Sequence, residues 1–226
     1  MRPAPVGVDT GAGPEQQQRR DAGPQTERGH ARRAELLEAA RGVFERNGFL
    51  DARVADIAEA AGVSQGTFYT YFDSKDSIFR EVAAALADRM IAAMRPDGPP
   101  PATVHEQIAG AMRRFVSAYR ADSRLIVVMA QLGQSTPEIA ALRLAVREAF
   151  VARTARGIRA QQSHGLADPE LDPWLTSEVL GSMVDHTCWV WLNLGREFDE
   201  EALIGTLTLV WSRALRLREP AVAPRS

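Results

Sequence analysis

The residues best suited to chemistry lie in one short run, residues 63–75, where hydroxyl, amide and aromatic side chains surround a glycine. Gln65 carries an amide that can pair with an adenine edge or a phosphate, and Thr67 can meet a thymine methyl or a phosphate. Gly66 has no side chain, so the start of a helix there could approach another molecule closely. This mixture is typical of a surface that contacts nucleic acid.

Two neighbouring helix patterns predict the elements that hold this run in place. Apolar residues recur at helical spacing over residues 54–61, and Gly62 then permits the left-handed backbone of a tight exit. The second helix opens at Ser64, a good N-cap, and presents Phe68 and Phe72 on one face. Two helices joined by a glycine turn predict a helix-turn-helix with its polar side chains exposed.

The charge of the chain favours a few placed contacts over a general attraction to polyanions. The formal net charge is -2, and residues 31–80 hold slightly more acidic than basic side chains. Lys75 is the only lysine in the chain. A non-specific nucleic-acid binder carries a basic patch, so DNA binding here would depend on specific contacts.

No pattern predicts catalysis, and we expect no enzyme activity, catalytic residue, cofactor or metal. The sequence has no Gly-rich phosphate loop, nucleophile elbow or paired-carboxylate arrangement. Asp185, His186 and Cys188 stand at positions i, i+1 and i+3 of one predicted helix, from which they do not converge on a tetrahedral metal. Since Cys188 is the only cysteine, an intrachain disulfide is excluded.

Membrane-spanning and secretion signals are both missing from the sequence. The longest apolar run, residues 125–130, is far shorter than the ~18 to 20 residues of a spanning helix. The N-terminus lacks the charged and apolar regions of a signal peptide. We therefore expect a cytoplasmic protein with no membrane partner.

Helix signals repeat along the rest of the chain, with almost no alternating strand pattern. Asn47-Gly48 indicates a helix end, while Ser74 and Pro137 indicate helix starts. The apolar run 125–132 is short enough for a strand, but we assign it to a buried helix because its neighbours are helical. The predicted fold class is all-α, with about nine helices.

The first residues are rich in Pro, Gly and Gln and lack aromatic side chains, which predicts a disordered arm. The arm is either an inert tail or one whose end touches a phosphate or the minor groove through Arg28, Arg32 and Arg33. A proline-rich stretch after residue 95 interrupts the helix that follows the helix-turn-helix. The predicted segments are the arm (1–29), the helix-turn-helix domain (30–76), a larger helical domain (77–218) and a tail (219–226).

The motif around the predicted turn resembles the DNA-binding domain of the TetR family of transcriptional regulators. The resemblance is dense over residues 32–80 and rests on Gly48-Phe49, Asp56-Ile57-Ala58, the run 61–69, Tyr71-Phe72 and Ser74-Lys75. Beyond residue 96 only the layout of the family is similar. The resemblance implies a homodimeric, ligand-responsive regulator whose larger helical domain binds a small molecule and dimerises.

The resemblance and the side-chain chemistry together predict the residues that contact operator DNA. Tyr69 and Tyr71 match family positions that contact DNA, and Lys75 matches a lysine that clamps a phosphate; the plain alternative is a solvated surface lysine. Arg53 stands where the family usually has a hydroxyl residue, so we expect it to reach the phosphate instead. The predicted set is Arg53, Ser64, Gln65, Gly66, Thr67, Tyr69, Tyr71 and Lys75.

The last two predicted helices carry more apolar surface than one core face requires. One face would pack inside the subunit, and the resemblance implies that the other meets a second copy in a four-helix interface. A dimer also suits a duplex, because two recognition helices must lie about one turn, ~34 to 36 Å, or an integer multiple apart. The predicted interface residues are Leu203, Leu207, Val210, Trp211 and Ala214.

Large apolar and polar side chains of the second domain predict a cavity for a bulky, mostly apolar ligand. For any single one of them, core packing is the favoured explanation, and only the group as a whole indicates a ligand. Polar groups of the ligand would meet Gln131, Asp185 or His186. The predicted ligand residues are Phe115, Tyr119, Met129, Gln131, Phe150, Met183, Asp185, His186 and Trp189.

These patterns together predict a TetR-like DNA-binding transcriptional regulator, a repressor that a small, largely apolar ligand releases from its operator. The alternative is a helical protein-interaction module whose helix-turn-helix does not read DNA. Repression and activation, the operator sequence and the identity of the effector are all open at this point.

Overall fold

A computed structural model describes residues 26–96, 98 and 103–218. Within these residues it contains nine helices and no strand, so the all-α prediction is confirmed. Residues 1–25 of the predicted arm and the predicted tail lie outside the described residues. The helices are α1 (Glu27–Asp51), α2 (Val54–Ala60), α3 (Gln65–Tyr71), α4 (Lys75–Ala93), α5 (Val104–Ala121), α6 (Ser123–Leu132), α7 (Pro137–Ser163), α8 (Pro173–Asn193) and α9 (Glu200–Ala214).

The first helix is longer than the sequence predicted at its start and is interrupted where a stop was predicted. It begins at Glu27, inside the predicted arm, because Thr26 caps it: Thr26 Oγ1 accepts a hydrogen bond from the backbone N–H of Gly29 at 3.1 Å. Gly48 has a φ of 71°, a left-handed conformation that favours glycine. The regular helix therefore breaks there, and a further turn leads to Asp51.

Helices α1 to α3 and the first turns of α4 share an aromatic core. The rings of Phe44 and Phe79 meet edge to face with centroids 5.0 Å apart, and Phe49 lies 5.1 Å from Phe79. Ile57 of α2 and Phe68 of α3 are fully buried beside them. These apolar contacts fix the α2–α3 pair against the start of α4.

Helix α4 takes part in both halves of the fold. Ser74 caps it, since Ser74 Oγ accepts a hydrogen bond from the N–H of Ser77 at 3.0 Å, as the sequence predicted. Ile78 is buried near the start of α4, and Leu86 and Met90 are buried further along the same helix. Helix α4 therefore connects the base of the helix-turn-helix with the core of the larger half.

A buried carboxylate ties α1, α4 and the corner between α5 and α6 together. Asp122 lies at that corner, and its side chain is only 5 % exposed. Arg89 of α4 donates to both Asp122 oxygens, at 3.1 and 2.9 Å. Arg41 of α1 places Nη2 3.1 Å from the same carboxylate. Paired guanidiniums are what a buried carboxylate requires, so this cluster links the two halves specifically.

The remaining helices form the larger part of the molecule. Helix α7 packs along α4 and α8, and α9 packs along α5. Pro137 and Pro173 each occupy a first helical turn, where a missing N–H costs little. The apolar run 125–132 lies in α6, so its assignment to a helix is confirmed.

Candidate DNA interface and ligand cavities

Backbone hydrogen bonds build the turn between α2 and α3. Gly62 adopts a left-handed φ of 65°, and Val63 N–H donates to the carbonyl of Ala58 at 2.9 Å. Ser64 Oγ then accepts from the backbone N–H of Thr67 at 3.1 Å and caps α3. The predicted helix-turn-helix is present, with α3 held at a fixed angle to α2.

The outer side of α3 is open to solvent. Phe68 and Phe72 anchor the inner side, with ring centroids 5.8 Å apart. Gln65 and Gly66 are exposed in the first turn, and Tyr69 is 55 % exposed beside them. The structure thus brings three of the predicted DNA-contacting residues together on one protruding edge.

Other predicted contacts in α3 are less available. Ser64 uses its hydroxyl as the helix cap, 3.0 Å from the hydroxyl of the half-buried Thr67. Tyr71 is half-buried and packs against the core. Thr70, which the prediction omitted, is exposed, and its hydroxyl donates to the carbonyl of Gly66 at 3.2 Å. Its position four residues after Gly66 on the same helical face was the signal that could have identified it.

Arg53 lies at the start of α2 with an exposed side chain. Its backbone N–H donates to Asp56 Oδ2 at 3.1 Å, so Asp56 supplies the reciprocal half of a capping arrangement. No ion pair joins the Arg53 guanidinium to another described residue. The side chain is therefore available for a phosphate.

Lys75 occupies a position that the sequence did not reveal. Its ammonium donates to the carbonyls of Phe49 at 2.6 Å, Ala52 at 2.9 Å and Leu50 at 3.2 Å. It also lies 4.4 Å from the centroid of the Phe49 ring. An ammonium has three donors, and here all three meet carbonyls at the end of α1, where the helix dipole favours a cation. In this arrangement the ammonium is occupied by backbone carbonyls, and the phosphate clamp stays a prediction.

The arginines at the start of α1 differ in their pairing. Arg33 donates to Glu81 of α4 at 2.5 Å, and Arg32 pairs with Glu35 at 2.7 Å. Arg28 is exposed and makes no ion pair with another described residue. Of the three arginines proposed for the end of the arm, Arg28 is the one still available for DNA.

A cavity in the described part of the chain, cavity 1, has a volume of about 410 Å³ and lies between α4, α5, α6, α7 and α8. Leu86 and Met90 of α4 contribute to its largely apolar wall. Arg143 and Arg147 of α7 also line it, and the sequence prediction missed both. Six of the nine predicted ligand residues lie around this cavity: Phe115, Tyr119, Met129, Phe150, Asp185 and Trp189.

The structure places Gln131, Met183 and His186 away from the linings of both cavities. Gln131 and His186 are exposed, and Met183 packs against the core. The sequence could not separate these residues from those that line the cavities because α6 and α8 are apolar on more than one side.

Desolvation shapes the titratable groups near cavity 1. Burial raises the pKa of the Tyr119 phenol above its ordinary value, and the Asp185 carboxylate adds to the effect. Burial also raises the pKa of Asp185, although its side chain is partly open to solvent and the guanidiniums of Arg147 and Arg143 oppose the shift. Burial raises the pKa of Cys188 to about 12. The surroundings therefore favour the neutral forms of Tyr119 and Cys188, as expected beside an apolar cavity, whereas Arg147 and Arg143 favour the charged form of the exposed Asp185.

The second cavity, cavity 2, was not predicted. It has a volume of about 450 Å³ and lies between α5, α7 and α9, with Trp211 in its wall. Met94, Phe115 and Phe150 line both cavities. The centroids of the Phe115 and Phe150 rings are 5.9 Å apart. This aromatic pair forms the partition between two chambers of similar size.

Burial within the subunit corrects the predicted dimer interface. Leu203, Leu207 and Trp211 are buried in the core of the subunit, so they cannot also face a second copy. Val210 and Ala214 are exposed on α9. Periodicity identified two apolar faces of α9 but did not show which one turns inward.

Exposed apolar side chains also occur on α8 and on the outward side of α9. Leu209 and Val210 of α9 are 43 and 42 % exposed, and Leu175 and Val179 of α8 are 63 and 61 % exposed. Gly205, one turn before Leu209, has no heavy atom within 4 Å of a Cβ placed on it. An open apolar face on two helices is the kind of surface that a symmetric helical dimer covers.

The described residues hold neither a metal-binding cluster nor a membrane-spanning helix. No group of three His, Cys, Asp or Glu side chains lies close enough there to hold a metal ion. No helix in the described part of the chain is long and apolar enough to cross a membrane.

Comparison with known proteins gives relatives for both halves of this chain. Residues 36–82 match the family model described as bacterial regulatory proteins, tetR family. The chain is 27 % identical over 171 residues to the fatty acid metabolism regulator protein of Bacillus subtilis, covering 75 % of this chain and 88 % of that one. It is 25 % identical over 210 residues to the regulator EthR of Mycolicibacterium smegmatis, covering 87 and 90 %.

Solved structures share the fold. FadR from Bacillus subtilis, in complex with stearoyl-CoA, matches with a TM-score of 0.66 at 24 % identity, covering 79 % of this chain and 96 % of that one. The fatty acid degradation regulator FadR from Bacillus halodurans matches with a TM-score of 0.67 at 23 % identity, covering 83 and 97 %. At these identities the likeness establishes the arrangement of helices.

The fold joins a helix-turn-helix with an open recognition edge, through one shared helix, to a larger helical half with cavities between its helices. This combination defines a DNA-binding transcriptional regulator. The relatives are regulators of this class, and none of them is named as an enzyme. Residues 36–82 match the TetR family of bacterial regulatory proteins, and relatives that span most of the chain are transcriptional regulators. Its partners are accordingly operator DNA, a second copy of itself and a small-molecule effector. The predicted alternative, an interaction module that does not read DNA, is not supported.

Proposed function

We propose that the protein is a repressor that leaves its operator when a long-chain amphiphile of the acyl-thioester class enters the two cavities. The observation that carries the proposal is the pair of apolar cavities that meet at Phe115 and Phe150, beside the helix that supports the DNA-reading motif. Each volume falls within the ~300 to 1,000 Å³ of ordinary ligand pockets. Together the two cavities form an elongated space that is suited to a long acyl chain.

In the DNA-bound state, α3 lies in the major groove with Gln65, Gly66 and Tyr69 toward the duplex. The amide of Gln65 pairs with adenine, a contact that contributes about 1 to 3 kcal/mol of discrimination. The exposed Arg53 and the hydroxyl of Tyr69 hold phosphates. Ser64, Thr67 and Tyr71 contribute mainly by capping and packing α3.

Lys75 acts as a positioning residue in this account. By joining the carbonyl end of α1 to the first turn of α4, it sets the angle at which α4 meets the helix-turn-helix. Its effect on DNA affinity is therefore indirect.

The exposed apolar face of α8 and α9 supports a four-helix dimer interface in which Leu175, Val179, Leu209 and Val210 are covered by the second copy. Dimerisation sets the distance between the two recognition helices. A separation of ~34 to 36 Å, or an integer multiple of it, matches successive turns of one face of the duplex.

The acyl-thioester class follows from the cavity walls and from the relatives. The walls are largely apolar, with arginines from α7 beside each cavity. One relative is named as a regulator of fatty acid metabolism, and a structural relative holds stearoyl-CoA. A long apolar chain with an anionic head satisfies both kinds of wall residue.

The effector weakens DNA binding through α4. A chain in cavity 1 touches Leu86 and Met90, and displacement of these residues moves the start of α4 that supports the aromatic core of the helix-turn-helix. Asp122, held by Arg41 and Arg89, transmits the same displacement to α1. The effector changes the equilibrium only by its difference in affinity between the two arrangements.

This role uses no catalytic group, and we propose that the protein is not an enzyme. Because it acts on the chromosome, we also propose that it is cytoplasmic.

The test combines operator selection with transcription. Duplexes selected by the dimer from a random pool should contain two related half-sites, and transcription in vitro from a promoter carrying them should fall when the protein is added. Palmitoyl-CoA should restore transcription and lower operator affinity by about 5- to 150-fold, the usual range of allosteric coupling. Coenzyme A without the acyl chain is the control. Transcription that stays repressed at saturating palmitoyl-CoA excludes this effector class.

A further inference from the structure

The two cavities differ in charge although both lie along α7. Cavity 1 is lined by Arg143, Arg147 and Asp185, and the guanidinium of Arg147 already donates to Glu178 at 2.7 Å. Its remaining cation, Arg143, is matched by the Asp185 carboxylate. Cavity 1 therefore has little net charge with which to hold an anion.

Cavity 2 has an unbalanced positive wall. Arg153 and Arg156 line it, and none of the described residues in its lining is acidic. Both guanidiniums are exposed, and no ion pair joins either to another described residue. Exposed, unpaired arginines beside an apolar chamber are suited to phosphate groups, which they can bind through two parallel hydrogen bonds.

A second polar feature of cavity 2 also indicates a ligand. Gln161 lines this cavity, and its buried side-chain oxygen accepts no hydrogen bond from the described residues. A buried acceptor without a donor is unfavourable. An N–H or O–H group of a ligand head would satisfy it, whereas an alkyl chain would not.

We propose an orientation for the effector, and this inference rests on the proposed function. The phosphate-bearing head of the effector binds in cavity 2 at Arg153, Arg156 and Gln161, and its acyl chain ends in cavity 1. The chain passes the Phe115–Phe150 partition, whose rings must turn aside to admit it. Only chains long enough to pass the partition reach Leu86 and Met90 of α4. Cavity 2 thus determines which head group binds, and cavity 1 discriminates between acyl chains by their length.

The position of the head group is tested by titration calorimetry, which measures the binding of palmitoyl-CoA to the full-length dimer. Arg153→Gln combined with Arg156→Gln should weaken palmitoyl-CoA binding by about tenfold or more, because two charge-assisted contacts are lost. Arg159→Gln changes an exposed arginine of the same helix that lines neither cavity, and as the control it should alter binding less than about threefold. Arg143→Gln tests the opposite orientation, in which the head would lie in cavity 1. The double lysine variant, R153K/R156K, should retain part of the affinity because it keeps the charge.

The position of the acyl chain is tested by blocking each cavity in turn. Ala140→Phe, which fills cavity 1, should weaken palmitoyl-CoA binding by about tenfold while leaving octanoyl-CoA, whose chain ends in cavity 2, nearly unchanged. Ala111→Phe, which fills cavity 2, should weaken both. Unchanged thermal unfolding would show that each variant is folded.

The outcomes separate the orientation from the effector class. If Arg143→Gln loses affinity and R153Q/R156Q does not, the orientation is reversed while the proposed function stands. Equal affinity of all arginine variants for palmitoyl-CoA excludes an arginine-bound head. If the unmodified protein does not bind palmitoyl-CoA, the proposed effector class and this orientation both fail.

Discussion

Replacing Asp122 with Asn removes the carboxylate that joins α1, α4 and the α5–α6 corner. Asp122 accepts three contacts, two from Arg89 and one from Arg41. Removing one partner of a fully buried ion pair costs ~3 to 5 kcal/mol. Here the side chains of Arg41 and Arg89 are 27 and 42 % exposed, so water solvates them in the variant. Arg41 also keeps Glu45 at 3.0 Å. We therefore expect a loss of about 2 kcal/mol in the free energy of unfolding.

Urea unfolding followed by circular dichroism measures this loss, at one protein concentration because dimerisation contributes to stability. For a chain of this size, about 2 kcal/mol corresponds to a decrease in Tm of roughly 4 to 8 °C. Asp88→Asn is the matched control, since Asp88 is exposed on α4 and pairs with no other described residue. A D122N variant within about 0.5 kcal/mol of the unmodified protein, the usual range for surface changes, would refute the reasoning.

The remaining predictions concern three single side chains. Lys75→Met should lower thermal stability and operator affinity but leave the salt dependence of DNA binding unchanged, because the ammonium contacts backbone carbonyls. A salt slope smaller by about one would instead show that Lys75 contacts a phosphate. Gln65→Ala should relax base preference at one position of each half-site by about 1 to 3 kcal/mol, measured on singly substituted operators. An equal loss on every duplex would instead place Gln65 on the DNA backbone. Burial raises the pKa of Cys188 to about 12, so its thiol stays protonated at pH 8 and becomes reactive only on unfolding. Native protein should therefore react with a disulfide reagent at least about tenfold more slowly than protein in urea, and similar rates would show that Cys188 is accessible.

Local signals explain why most of the fold could be predicted from the sequence. Ser64 and Ser74 cap their helices through hydrogen bonds to residues three positions away, and Pro137 starts α7 by its own geometry. Gly48 and Gly62 adopt the left-handed backbone that glycine permits. Each of these features depends on neighbours in the chain, so the sequence contains the required information.

Features that depend on distant parts of the chain could not be predicted in the same way. The carbonyls that hold Lys75 lie more than 20 residues earlier in the sequence. Periodicity found the two apolar faces of α9, but which face turns inward depends on α5, so Leu203, Leu207 and Trp211 were assigned to the wrong side. Cavity 2 is a space between three helices, and a space leaves no pattern in the sequence.

The predicted site residues show the same difference between local features, which the sequence predicts, and features that depend on distant parts of the chain. Exposure on α3 follows from helical spacing around the buried Phe68, which is why Gln65, Gly66 and Tyr69 emerge together. Ligand residues were predicted by side-chain type, which finds aromatic walls such as Phe115 but also selects the exposed His186.

The central claim is that operator and effector favour different arrangements of one dimer, and reciprocal binding tests it most directly. Palmitoyl-CoA is titrated by calorimetry into the free dimer and into the dimer saturated with its selected operator. Linkage requires the operator to weaken effector binding by the same factor by which the effector weakens operator binding. We predict a matching loss of about 5- to 150-fold in both directions. Equal palmitoyl-CoA affinity with and without operator would contradict the account.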